Sequence, residues 1–178
     1  MHMQTLTAGA LVLEPLTALH AEAMFNALAD PEIYRYLDYP APPSLEYLRT
    51  RYTKLETRRS ADGSEAWLNW VVRVPGEAPL GHLQATVLPS GDAWVAYVLN
   101  SKHWGRSVAH TAMQTMIGHL AEAYGVRCYM ATVEIDNLRS IRLLVRLGFR
   151  IATADEVRGH ELTMSERLYL RQVSIRFD

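Results

Sequence analysis

The chain has 178 residues, a length that fits one domain able to bury roughly two-thirds of the surface it would expose unfolded. Hydrophobic residues make up 49% and charged residues 21%, which excludes a disordered or fibrous protein. A net charge of -1 gives no bulk attraction to nucleic acid or a membrane, no run approaches the ~18 apolar residues of a membrane span, and the single Cys128 excludes an internal disulfide.

The N-terminal stretch lacks the basic region of a secretory signal and carries Glu14 soon after a short apolar run, so a cytoplasmic protein is expected. Met1-His2-Met3 is left out of the functional reading. Residues 9–17 predict a strand closed by Pro15, and residues 18–29 a helix of good helix formers. Residues 30–44 set Tyr34, Tyr36 and Tyr39 among prolines and read as a turn of helix plus irregular loop. Ser44 is placed to cap a helix over 45–60, where Leu45, Leu48, Tyr52 and Leu55 recur at helical spacing.

Residues 66–74, 80–88 and 93–99 are β-rich and separated by "PGEAP" and "PSGD", turn chemistry for an antiparallel meander. A helix follows over 108–124, with Ala112, Met116, Leu120 and Tyr124 in one row, Met113, Ile117 and Ala121 in a second, and Gly125 as its stop. Residues 127–135 predict a strand and 137–149 a helix with Leu138, Ile141, Leu144 and Val145 on one face. Two β-like segments, 149–154 and 166–175, complete one α/β domain without repeat or composition break.

The chemistry concentrates at two junctions. In "YVLNSKHWGRSVAHTAM" a strand ends at Leu99 and a helix begins at Val108, with Gly105, Arg106 and Ser107 between them. The first amides of a helix lack intrahelical partners and sit at its positive end, so an anion can be held there, with Arg106 adding a full charge. The same pattern also serves as a plain strand-to-helix turn. The second junction is "VEIDNLRSIRLLVRLGF", a strand followed at once by a helix.

Together and in this order, the two stretches resemble the GNAT acetyltransferase superfamily, in particular its RimJ/RimL-type branch, with a likeness running from "LVLEPLT" to "RLYL". The resemblance implies one acetyltransferase domain over 1–178. Its fold would be α/β (α+β), a mixed sheet of about seven strands with a splayed parallel pair, flanked by about four helices. It implies acetyl-CoA as co-substrate, an amine acceptor (a protein N-terminus or a small molecule), no metal and no nucleic-acid or membrane partner, and it leaves a homodimer open.

By the same resemblance, Tyr97, Val98 and Leu99 splay from Met130–Glu134 and pair with the pantetheine arm, and Trp104, Gly105, Arg106, Ser107, Val108 and Ala109 hold the pyrophosphate. Asn137 matches the pantetheine-binding asparagine, and Ser140 the serine that protonates the departing thiolate. Arg142 leads the basic stripe of Arg139, Arg142 and Arg146 as a phosphate contact, with a solvated helix face as the alternative. Tyr34, Tyr36 and Tyr39 meet the acceptor or merely anchor their loop. Glu134 is the first candidate for the base that takes the amine proton, followed by Asp92, His82 and Tyr97. No pair of histidines has metal-ligand spacing, and Cys128 reads as a packed strand residue.

Three departures stand out. Trp104 occupies a position usually held by Arg or Gln, Ser107 stands where the loop's central glycine is usual, and Leu144 stands where other members carry a tyrosine acid. Ser107 is expected to supply its amide from a negative φ, open to any residue. The alternative to an enzyme is a non-catalytic acyl-CoA-binding relative.

Overall fold

The computed structural model describes residues 3–173, which form one eight-stranded sheet in the order β1-β2-β3-β4-β5-β6-β8-β7. The strands are β1 (Leu6–Ala8), β2 (Leu11–Pro15), β3 (Ala66–Arg73), β4 (Gly81–Val87), β5 (Asp92–Leu99), β6 (Cys128–Glu134), β7 (Arg150–Ile151) and β8 (Glu166–Gln172). The helices are α1 (Ala21–Ala27), α2 (Leu45–Leu55), α3 (Val108–Tyr124), α4 (Leu138–Arg146) and α5 (Ala154–Val157). Every strand pair is antiparallel except β5–β6. Among the described residues no helix is long and apolar enough to cross a membrane.

The expected meander, parallel pair and helix order are present, and the differences have local causes. The single strand expected over 9–17 is a hairpin, because Gly9 at φ +62° reverses the chain and lets Leu6–Ala8 pair with Leu11–Leu13. The segment expected as a strand over 149–154 keeps only Arg150–Ile151. Thr153 there accepts from the Glu156 amide while Glu156 reaches back to the Thr153 amide, a capping box that starts α5. The strand expected over 166–175 ends at Gln172, and its positions 174 and 175 lie outside the described residues.

Both faces of the sheet are covered, which explains the almost unbroken apolar reading of β3. Trp70 and Val72 point to one side, where Met113, Met116 and Leu120 of α3 fill the main core. Val71 points to the other, into a second core with Leu16 just after β2, Met24 of α1, and Leu48 and Tyr52 of α2. The alternation holds along β5, where Val95 and Leu99 join the α3 side and Val98 the α1/α2 side. Arg58, itself buried, clamps the chain that follows α2 to the residue after β2 by donating to the Leu16 carbonyl at 2.6 Å. Asn100 and Asp30 tie the end of β5 to α1, through Nδ2 to the Ala27 carbonyl (3.0 Å) and the Ser101 amide to Oδ2 (2.7 Å).

The site depends on one irregularity. Strands β5 and β6 pair only at Asp92/Cys128, Ala93/Tyr129 and Trp94/Met130. Beyond that, β5 stays paired with β4 as far as Leu99, and β6 with β8 as far as Glu134, so the two parallel strands part and open a V in the sheet. Gly81, opposite Leu99, backs the open end of β5, and a Cβ on it would collide with the Val98 carbonyl and the Leu99 Cα. Its φ of +151° also disfavours any other residue. Gly81→Ala is therefore expected to destabilise the fold by about 2–3 kcal/mol, read as a lowered denaturant midpoint. An unchanged midpoint would mean that β5 moves freely at this point.

Candidate functional site

At the open end of the V, Asn100 caps a short turn at Ser101–His103, and Trp104 follows with its indole Nε1 donating to the Leu99 carbonyl at 2.9 Å. The Trp104 ring carries the Arg139 guanidinium of α4 stacked at 3.4 Å from its centroid. One residue therefore closes the end of β5 and joins the loop to α4. Gly105 and Ser107 follow, both with left-handed backbone, and α3 starts at Val108 with no side-chain cap. Its first amides are free of intrahelical partners by geometry and border exposed Arg106, as an anion site requires.

Ser107 corrects one expectation. Its φ is +60° and ψ 4°, left-handed rather than negative. The serine adopts the conformation in which glycine is easiest, at a cost of about 1 kcal/mol.

Across the V, Asn137 caps α4 by accepting from the Ser140 amide at 3.2 Å. This uses its carbonyl oxygen and leaves its NH2 available. The Ser140 hydroxyl lies 2.8 Å from the Tyr97 hydroxyl, so a side-chain hydrogen bond spans the gap where the backbones part. Burial raises the Tyr97 pKa, with the Ser140 hydrogen bond and Arg139 opposing, which keeps the phenol protonated and able to donate. Leu144, at the usual tyrosine position, is buried in the core. Sequence reasoning took Tyr97 for its backbone and as a later candidate for the base, and missed this pairing of residues 43 apart, for which a lone sequence carries no signal. Arg142 is exposed on α4, while Glu134 ends β6, half-buried and paired in register with Glu166.

On the opposite face, a cavity of about 110 Å³, open to solvent on one side, lies between β3–β5 and α2. Val98, His82, Gln84 and Asn69 form its floor, and α2 with residues 39–43 its roof. His82 stands directly across from Val98 in the antiparallel register, so both side chains point into this space. Its Nδ1 is shielded from solvent with no hydrogen-bond partner. Burial, then the charge of Arg51, lowers its pKa to about 4, so the imidazole is neutral at pH 7.

Tyr34 and Tyr39 line the cavity, edge to face at 6.3 Å, with the Tyr34 hydroxyl donating to the Leu28 carbonyl at 2.8 Å. Tyr36 does not line it and carries Arg35 at 5.6 Å from its ring centroid. Neither Glu134 nor Asp92 lines it; Asp92 accepts from the Ser90 hydroxyl at 2.8 Å. Trp67, Trp70 and Trp94 lie outside it as well. Among the described residues, no group of three His, Cys, Asp or Glu side chains is disposed to hold a metal ion.

A family model described as acetyltransferase (GNAT) domain matches residues 10–150. An uncharacterized N-acetyltransferase, p20, from Bacillus licheniformis is 25% identical over 150 residues, 83% of each chain. The uncharacterized N-acetyltransferase YoaA from Bacillus subtilis (strain 168) is 23% identical over 143 residues, 79% of each chain. Among solved structures, RimL, a ribosomal L7/L12 alpha-N-protein acetyltransferase in complex with coenzyme A, superposes with a TM-score of 0.80 at 17% identity, covering 96% of this chain and 98% of that one. The ribosomal-protein-S5-alanine acetyltransferase from Vibrio fischeri gives 0.77 at 16% identity over 96% and 97%. At such identities these two share the fold.

Two outcomes follow from the geometry. Ser107→Gly removes the left-handed penalty but loosens the unfolded chain, so the thermal midpoint should stay level or rise slightly, while Ser107→Val should lower it by an amount equivalent to about 1–2 kcal/mol. A destabilised glycine variant would contradict the assigned backbone. For His82, both states are neutral above pH 6.5, but between about 6.5 and about 4 the unfolded chain takes up a proton that the folded chain refuses. Stability should therefore fall as pH drops through that window, and less steeply in His82→Gln. Some slope should remain from His119, whose pKa burial also lowers against the opposing Glu122. Equal slopes would place His82 in contact with water.

Proposed function

The chain belongs to the acetyltransferase (GNAT) domain family of acetyl-CoA-dependent N-acetyltransferases, and from that premise we propose that it acetylates a primary amine seated in the cavity beneath α2. The observation that carries this reading is the parting of β5 from β6 beyond Trp94 and Met130, which leaves strand backbone without a neighbour between the phosphate-type loop and the cavity floor. Tyr97, Val98 and Leu99 offer that backbone to the pantetheine arm as an added strand. The NH2 of Asn137 bonds the same arm. Amides of Gly105–Ala109, with Trp104 holding the loop and Arg106 and Arg142 supplying charge, neutralise the phosphates.

Bound there, acetyl-CoA supplies an activated thioester. Val98 belongs to both sides of the site, with its backbone at the V and its side chain on the cavity floor, so an amine in the cavity lies next to the acyl group. The amine nitrogen bonds to the carbonyl carbon and the carbon–sulfur bond breaks, with no acyl group carried on the protein. The Tyr97–Ser140 pair returns a proton to the departing sulfur, and neutral His82 takes the proton lost by nitrogen. His82 replaces Glu134 in this role because it lines the cavity. The acceptor is a small amine or a protein N-terminus such as RimL modifies.

Acetyl-CoA should protect the chain against thermal unfolding, and an amine panel should release free thiol. Protection without thiol release would favour a non-catalytic acyl-CoA-binding protein, and no protection would sink both readings. Ser140→Ala and Tyr97→Phe should each lower kcat by roughly 10- to 100-fold with little change in acetyl-CoA affinity. The double variant should be no worse than either single one, because the two hydroxyls act as a unit. Multiplying losses would separate them.

A further inference from the structure

The cavity's electrostatics bear on which amine enters it, an inference that rests on the cavity being the acceptor site. Its lining carries one permanent charge, Arg51, and no carboxylate. On α2, Tyr47, Leu48, Arg51, Tyr52 and Leu55 fall at the i, i+1, i+4, i+5 and i+8 positions of one helical stripe, and all five border the space. Arg51 is therefore aimed over the cavity by the periodicity that buries Leu48 and Tyr52.

Arg49, on the outer face, has Glu46 at 3.8 Å, whereas Arg51 has no carboxylate partner among the described residues. The Arg51 charge is felt at Tyr39, Tyr52 and His82, which surround the same space. Two buried polar atoms on these residues, the Tyr52 hydroxyl and His82 Nδ1, have no partner. Buried polar atoms without partners are costly, so a ligand that completes them is favoured. The remaining walls are apolar or aromatic, built from Leu28, Tyr34, Tyr39, Pro42, Leu48 and Leu55.

We infer that the acceptor is a small primary amine that also bears a carboxylate, an α-amino acid with an apolar or aromatic side chain. Its carboxylate meets Arg51 and the Tyr52 hydroxyl under the roof, its side chain lies among the tyrosines and leucines, and its amine reaches the floor at His82 and Val98. A guanidinium suits a carboxylate geometrically, because its planar fork can donate two parallel hydrogen bonds. A polyamine or aminoglycoside finds no carboxylate here and faces a like charge instead. The reaction balances as amino acid plus acetyl-CoA giving N-acetyl amino acid plus free coenzyme A, with the departing sulfur protonated.

The test measures thiol release with acetyl-CoA against phenylalanine, leucine and methionine, their carboxamides, phenethylamine, spermidine and a short peptide. The amino acids should react best, and loss of the carboxylate, as in phenylalaninamide or phenethylamine, should lower kcat/KM by about tenfold or more. Arg51→Met should collapse that preference, bringing the phenylalanine-to-phenethylamine ratio towards one, while acetyl-CoA still protects against thermal unfolding. Faster reaction of spermidine, the peptide or phenethylamine overturns the inference and leaves the acetyltransferase reading standing. Protection by acetyl-CoA without reaction of any amine also overturns it. An unchanged preference in Arg51→Met removes Arg51 from recognition and overturns it too.

Discussion

The parallel pair β5–β6 holds together for three residues and then separates, and most of the remaining structure serves that separation. Each strand has its other edge satisfied, β5 by β4 and β6 by β8, so neither has to close the gap. The freed backbone on the inner edges of the V still needs hydrogen-bond partners. A strand-like ligand meets that need at low cost, because its acceptor edge is already rigid. Gly81 holds β4 close behind the open end, Trp104 seals the Leu99 carbonyl, and the Tyr97–Ser140 hydrogen bond spans the opening. The site is thus a defect in a sheet, held open by the pairings on either side of it.

That arrangement divides the labour between the two faces. On one, the start of α3, the 105–109 loop and the arginines of α4 gather positive charge and unpaired amides. On the other, α2 and the loop of residues 39–43 roof a mostly apolar cavity with one cation and a neutral imidazole. Val98 is common to both, with its backbone at the V and its side chain on the cavity floor. The ties of Asn100 to α1 and of Ser101 to Asp30 fasten the segment after β5 to the wall of the cavity, fixing the two faces relative to each other. Rigid elements carry the positioning, and loops carry the contacts.

Much of this was legible in the sequence where the signal is local. The meander showed in its turns, α3 and α4 in apolar periodicity, and the Asn137 cap in its place before a helix. The parting of the strands was reached through the resemblance of two motifs, since nothing in the composition of β5 or β6 marks where pairing stops. Where the reading fell short, the cause was either a weak local cue or a long-range contact. Gly9 and the Thr153–Glu156 capping box were written in the chain but overshadowed by neighbouring apolar runs. Ser107 takes a backbone that residue type alone argues against. The Tyr97–Ser140 pair and the position of His82 in the cavity depend on register across strands, which one sequence does not fix.

The central claim is that the V between β5 and β6 is where acetyl-CoA docks, and amide hydrogen exchange with and without it tests that claim most directly. The account predicts slowed exchange at amides within Val95–Leu99 and in the 105–109 loop, where strand edge and helix start now lack partners, with little change in the already paired β3. Binding that left Val95–Leu99 and the loop unchanged, while protecting another part of the chain, would contradict it.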